Sequence, residues 1–566
     1  MCGIHYILSK NSKETEKISS LLIGASHRGP DGSQSNFGNL GNSYYAIGHN
    51  LLSVVDVVQQ PLVSDEYCLS YNGELYNYLD LAKKYSVSNT KNDATVLFEL
   101  LKQKGMDILP ELNGMFAFIW IDKPTCKTYL ARDYFGQKPL YYSLKESTFK
   151  ASSVQKKLVH STYIHTAAVR EVLMYKSTHH SIYDGVSVLE AGHYLCIDHQ
   201  LDCKKFSFEI MSNHQKNGPL CFENSITSHC IGKGRPAVLV SGGLDSSLIL
   251  HTAHSQVKNP IAYTLDTSTY EVSDDVKSAK KLCHVLGVEH QIIQAERDFF
   301  DAFIDTIDQP IGNGAFYFQY LLAKQMRKNH TYALSGNGAD ELFGGYQRHN
   351  AFRHYHKNKK SWLLLAKLKS LLSLCPGGQK KESLVTFLHA LDQSEKQTFI
   401  NFTKTKVFLK EGYDKIDPFN LQNALDFDVH NYLKTDVLAT ADQSSMAFGL
   451  EIRSPFIDAD LYAWSKTLSP EEKLLNHGKF HLKALFPNSS VLNEIKQRKK
   501  VGFGISFTSF WGRNMQIELL DLSSVLVHFV TNAELLHIQQ LIKLWKPSLS
   551  NEYWAILILC KWLKNK

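Results

Sequence analysis

Short apolar runs with strand-like alternation punctuate the N-terminal part of the chain, at 4–8, 43–49, 67–71, 115–121, 128–132 and 140–143. Helical periodicity is confined there to patches, the clearest being 94–104, with Val96, Leu97, Leu100 and Leu101 on one face. The pattern predicts an α+β unit, a sandwich of packed sheets with helices. Residues 198–218 carry His, Gln, Lys and Asn without an apolar period and form the expected linker.

Beyond it the pattern becomes strand, glycine turn, helix. Residues 237–240 form a buried-type strand, Ser241-Gly242-Gly243 a tight turn and 244–253 a helix. The unit recurs with a strand at 261–265 and a helix over 276–286, where Val276, Ala279, Leu282 and Leu286 keep helical spacing; a further strand, 331–334, enters a glycine-rich turn. This alternation predicts an α/β doubly wound parallel sheet that takes ligands at the carboxyl ends of its strands. Helical signals dominate from about residue 347. The expected domains are 1–205 and 206–566.

A chain of 566 residues, 43% hydrophobic and 21% charged, is long and apolar enough for more than one core. Its net charge of +7 favours small anionic ligands over nucleic acid. The basic runs at 357–360 and 496–500 are short and read as solvated faces. Ten cysteines with no CxxC pair and no zinc-like His/Cys spacing fit a reducing compartment. The amino end lacks the basic flank of a secretory signal, and the apolar run 554–560 is too short to span a bilayer. The expectation is a cytoplasmic protein without nucleic-acid or membrane partners.

Candidate chemistry begins at Cys2. With the initiator Met removed, its thiol lies beside its own α-amine, whose pKa of about 8 makes it a usable general base. A cysteine at this position is a weak signal alone, but ordered segments follow it: His27-Arg28-Gly29-Pro30-Asp31-Gly32, Tyr71-Asn72-Gly73-Glu74-Leu75-Tyr76-Asn77, Leu112-Asn113-Gly114-Met115-Phe116-Ala117-Phe118, and Arg132 through Tyr142. Together they resemble the N-terminal-nucleophile glutaminase domain of the asparagine synthetase family. On that resemblance Cys2 attacks the glutamine amide, and Asn72 with the Gly73 backbone N–H stabilises the oxyanion. Leu51, Leu52, Val54, Asn72, Gly73, Glu74 and Asp93 then bind glutamine, Asp93 taking its amine. One position departs from the family: Leu51 stands where relatives usually carry an arginine that clamps the glutamine carboxylate. Weak glutamine use is the expectation.

The second constellation is Val238-Leu239-Val240-Ser241-Gly242-Gly243-Leu244-Asp245-Ser246-Ser247. A strand ending in Ser-Gly-Gly and opening a helix with Ser-Ser offers amides, hydroxyls and a helix N-terminus to phosphate, with Asp245 placed for Mg²⁺. It lacks the lysine of a Walker loop and resembles the pyrophosphate loop of ATP enzymes that cleave between the α- and β-phosphates. A third constellation, Leu334 through Tyr346, again closes a strand, so that Asp340 can face Asp245 across the metal while Ser335 and Gly336 line the nucleotide. The candidate ATP site is thus Leu239, Ser241, Gly242, Gly243, Leu244, Asp245, Ser246, Ser247, Leu265, Ser335 and Gly336, with Asp245 and Asp340 as metal ligands.

Asp442-Gln443-Ser444-Ser445-Met446, Glu451 through Asp458, Gly478-Lys479 and Arg498 through Gly504 extend the resemblance over nearly the whole chain. Lys479 is implied to stabilise departing pyrophosphate. The family adenylates the aspartate side-chain carboxylate and displaces AMP with ammonia from glutamine. A ligase of asparagine biosynthesis is therefore implied, using ATP and Mg²⁺, with glutamine and aspartate as substrates and a homodimer as candidate assembly. Asn337 replaces an acid of relatives and cannot act as a general base. Gln309 and Asn313 are further amides where relatives often have acids, and the three together read as altered acceptor chemistry near one pocket. Two alternatives stay open: the same chemistry on another carboxylate, as in tailoring of a surface sugar or small metabolite, and a non-catalytic relative that binds glutamine or nucleotide.

Overall fold

The computed structural model describes residues 2–55, 57–159, 163–211, 217–257, 259–374, 379–407, 419–486, 490–498 and 504–566. Its N-terminal part is built on two six-stranded antiparallel sheets. Gly3–Ser9 runs near the middle of the first, between Ser43–Leu51 and Thr148–Ser152. The second centres on Tyr67–Leu75, Gly114–Asp122 and Lys127–Arg132. Alternation along these strands decides the layering. Ile4, Tyr6 and Leu8 from one sheet meet Ala117, Ile119 and Ile121 from the other in a closed core. The intervening Phe116, Phe118 and Trp120 turn outward to the helix Asp93–Lys104, which buries Val96, Leu97, Leu100 and Leu101 as its periodicity predicts.

The third sheet has five parallel strands in the order Glu289–Gln294, Ile261–Asp266, Ala237–Leu239, Tyr332–Leu334, Glu451–Arg453. Helices Leu244–Gln256 and Asp275–Leu286 belong to its crossovers, and helices dominate thereafter. The apolar run 554–560 lies in the helix Ser550–Lys564 and is buried throughout. No helix among the described residues is long and apolar enough to cross a membrane.

The expected linker at 198–218 is much shorter. Cys203–Ser207 pairs with His193–Asp198 as the edge strand of the second sheet, and a helix already begins at Gly218. An exposed, lysine-bearing edge strand has little apolar alternation to reveal it, so its polarity mimicked a linker. The sheet accordingly runs past the expected division at 205. The two halves also share a core: Ile7, Ala46, Val169 and Leu173 belong to one apolar cluster with Phe316, Leu450, Trp554 and Trp562.

Candidate functional site

Cys2 stands at the head of the strand Gly3–Ser9 and is buried against Leu51, Leu52, Val54, Tyr332 and Met446. The Leu52 N–H donates to the Cys2 sulfur at 3.4 Å, and the Cys2 N–H donates to Asn72 Oδ1 at 2.8 Å. Burial raises the thiol pKa, with the charges of Glu451 and Asp93 adding to it. An anionic sulfur here therefore needs a base, and the α-amine of a chain beginning at Cys2 would lie where Asn72 Oδ1 now accepts. Asn72 Nδ2 is buried with no hydrogen-bond partner among the described residues, a donor left for a ligand. Beside it Gly73 is obligatory, since a Cβ would come within 2.2 Å of the Met115 carbonyl oxygen.

The cavity in front of the sulfur is lined by Leu51, Leu52, Val54, Gly73, Glu74 and Asp93, and additionally by Tyr71 and Glu451. Asp93 is no helix cap: Asn92 fills that role, accepting from Thr95 N–H at 2.9 Å. The Asp93 carboxylate instead accepts from Tyr71 OH at 2.8 Å and Leu75 N–H at 3.0 Å, while burial pushes its pKa upward. That aims a fixed anion at the cavity. Leu51 turns an apolar side chain to the same wall.

Glu451 comes from the other half of the chain. It escaped the sequence reading as a site residue because a charged tripeptide gives no strand signal, yet Glu451–Arg453 is the edge of the parallel sheet and fully buried. Arg453 makes this burial tolerable, donating from Nε to Glu451 at 2.6 Å and from Nη2 to Glu74 at 3.0 Å. A second buried seam joins Arg28 to Asp442 bidentately, at 2.9 and 3.0 Å. Asp31 of the same motif ties the cavity loop, donating its N–H to Leu51 O at 3.0 Å and accepting from Ser53 N–H at 2.8 Å. Other motif residues serve structure. Asp133 accepts four backbone N–H groups, of Phe116, Phe135, Gln137 and Lys138, and Asp458 joins Asn113 at 2.7 Å while capping the helix Ala459–Thr467.

At the carboxyl ends of the parallel strands, the Ser241–Ser247 loop and the Ser335–Asp340 loop meet: a Cβ on Gly336 would lie 3.1 Å from the Asp245 Cβ. Gly242 has φ +66 and no room for a side chain, with the Asp275 carbonyl 2.7 Å from its virtual Cβ. Ser246 Oγ accepts from Ser241 N–H at 3.1 Å, and Ser247 Oγ is buried with no partner. Leu239 and Leu265 sit on adjacent strands behind the loop, and Leu244 opens its helix. Lys479 Nζ lies between the carboxylates of Asp245, at 2.5 Å, and Asp340, at 2.6 Å. Arg498 fixes the loop by donating to the Gly242 carbonyl at 2.8 Å; the rest of its motif, 499–503, lies outside the described residues.

The three amides have different partners. Gln309 accepts from Gln155 Nε2 at 2.8 Å in the seam between the halves, whereas Asn313 caps the helix Gly314–Met326 and donates to Asp436 at 2.8 Å. Asn337 alone remains in the nucleotide loop. Next to Asp340 the sequence reading missed a cluster of buried polar side chains: Glu341 accepts from Tyr346 OH at 2.6 Å, and Arg348 pairs with Asp428 at 2.7 Å. Burial lifts Glu341 to about 7, against the Tyr346 hydrogen bond. Arg348 Nη2, Asp428 Oδ1 and Asp436 Oδ2 are buried without partners. Asp428–Val437 is a π-helix, a distortion common at functional sites and invisible to 3.6-residue periodicity.

The chain is 26% identical to asparagine synthetase [glutamine-hydrolyzing] 1 of Bacillus subtilis, over 99% of this chain and 96% of that protein. It is 28% identical to the Bos taurus asparagine synthetase [glutamine-hydrolyzing], over 91% of this chain and 87% of that one. The Glutamine amidotransferase domain family matches residues 1–207, and the Asparagine synthase family matches residues 221–564. The chain belongs to the asparagine synthase family and carries a glutamine amidotransferase domain at its amino end.

Proposed function

We propose that the protein is a glutamine-dependent asparagine synthetase, which adenylates the aspartate side-chain carboxylate and amidates it with ammonia from glutamine. The observation that carries this reading is the strand Glu451–Arg453. Glu451 forms part of the wall of the Cys2 cavity, while the Arg453 carbonyl accepts the Ser335 N–H of the nucleotide loop at 2.9 Å. On this reading the three-residue strand links the amide-hydrolysing site to the nucleotide site.

In the first site the α-amine of Cys2 takes the thiol proton and the thiolate attacks the glutamine carboxamide carbon. Asn72 Nδ2 and the Gly73 N–H receive the oxyanion, Asp93 holds the substrate amine, and the collapsing intermediate releases ammonia; water then frees glutamate from the thioester. In the second site the aspartate carboxylate attacks the α-phosphorus of ATP and pyrophosphate leaves. Ammonia then attacks the acyl adenylate and expels AMP. Lys479, already nested between two carboxylates, supplies charge to the departing pyrophosphate.

The residues present fit a divalent cation. Asp245 and Asp340 converge on one positive charge, and Asp245 Oδ1 is buried without a partner. Mg²⁺ held by these carboxylates would neutralise phosphate charge on ATP. The buried and half-buried free cysteines suit a reducing cytoplasm. The polar cluster around Arg348, whose Nη2 has no hydrogen-bond partner among the described residues, is the proposed seat of the acceptor.

ATP turnover tests the reading: AMP and pyrophosphate are expected with aspartate, using glutamine or ammonium as nitrogen source. No AMP with aspartate and either donor sinks it. Asn337 favours a second reading, another carboxylate acceptor, which a panel of carboxylic acids distinguishes by pyrophosphate release. Asn72→Ala is expected to lower glutamine-dependent kcat by about 10²–10³, the usual cost of an oxyanion donor. Single-turnover glutamate release measures it, and a loss below tenfold would remove Asn72 from that role.

A further inference from the structure

We propose that Lys233 replaces the cation absent at Leu51 and binds the α-carboxylate of glutamine at the mouth of the Cys2 cavity. This rests on glutamine being the substrate of that site. A glutamine with its amide at Cys2 and its amine at Asp93 can turn its carboxylate toward the loop through Leu51, Leu52, Val54 and Val55, which forms one wall of the cavity.

The cations buried against that wall are committed elsewhere. Arg28 is spent bidentately on Asp442 and donates from Nε to the Cys2 carbonyl. Arg453 gives its donors to Glu451, Glu74 and the carbonyls of His229 and Ile231. Lys233 differs. It lies in the turn between the helix Gly218–His229 and the strand Ala237–Leu239, and its backbone N–H donates to Val54 O at 2.9 Å, fixing its Cα beside the cavity loop. Its ammonium is 3.5 Å from Ser53 Oγ and has no carboxylate partner among the described residues. The synthetase half thus brings a positive charge to Ser53, which lies between the cavity-lining Leu52 and Val54 and beside the loop that carries Leu51. An exposed ammonium is a weaker, salt-screened clamp than a buried guanidinium, which sets the size of the effect.

Steady-state glutamate release by the full chain, with glutamine and with glutaminamide, which lacks the carboxylate, tests the assignment. Lys233→Met is expected to raise the KM for glutamine about fivefold, the upper range for an exposed ion pair, while the KM for glutaminamide stays put. The rise of the glutamine KM with added salt should flatten in the variant, and Lys233→Arg should restore both properties. Leu51→Arg introduced into the Lys233→Met chain should recover glutamine. A KM ratio between the two substrates that Lys233→Met leaves at its wild-type value overturns the assignment. No glutamate from wild-type protein, with AMP still formed from ammonium, overturns the glutaminase reading together with it.

Discussion

Replacing Cys2 by alanine is expected to abolish glutamine-dependent synthesis, by about 10³-fold or more, while ammonium-dependent AMP formation persists. The loss is large because the sulfur forms the covalent intermediate, and removal of a nucleophile leaves only binding and the oxyanion donors. The persistence follows from placement. The cavity at Cys2 is lined by neither Asp245 nor Lys479, and the Cys2 sulfur contacts the Leu52 backbone. Deleting one sulfur from a cluster of Leu51, Leu52, Val54 and Met446 leaves a small void, costing on the order of 1 kcal/mol, too little to unfold the domain. Intact-mass measurement should find the active protein without its initiator Met, because only then is the α-amine free to act as the base. Active protein that retains Met1, or a Cys2→Ala enzyme that still releases glutamate, contradicts the mechanism.

The sheets were legible in the sequence wherever one face was dry. Residues 115–121 and 128–132 alternate because one side meets Ile4, Tyr6 and Leu8 and the other meets a helix or solvent. The edge strands were not legible: Gly32–Leu40 is mostly polar and exposed, and Cys203–Ser207 is lysine-bearing, so neither carries a burial signal. Backbone-built parts of the candidate site were legible for the opposite reason. The glycines at 73 and 242 mark close approaches to backbone that a side chain would block, and such signatures survive without tertiary information. What the sequence hid were pairs separated along the chain. Glu451 entering the Cys2 cavity, Arg348 finding Asp428, and Gln309 leaving the acceptor region for Gln155 depend on how the halves dock, and docking has no local code.

Asp245→Asn and Asp340→Asn are each expected to reduce AMP formation at least about 10²-fold with glutamine and with ammonium alike, while free glutamate release is retained. Each variant keeps shape and hydrogen bonding but deletes one of the two negative charges that converge on Lys479 Nζ. A hard cation at phosphates relies on anionic oxygen, and an amide offers a neutral dipole in its place. Stability should fall only modestly, since Lys479 keeps its remaining carboxylate and avoids the cost of an unpaired buried charge. Thermal unfolding therefore separates the two consequences: a shift of a few degrees alongside loss of turnover places the effect in the chemistry. The pair also discriminates between direct and structural roles. Gly345 makes room for these groups, since a Cβ there would lie 1.8 Å from Asp340 Oδ1 and 2.2 Å from Lys479 Cε. Turnover within tenfold of wild type in both variants would mean that the two carboxylates serve to seat Lys479 and that the cation on ATP is held by other groups.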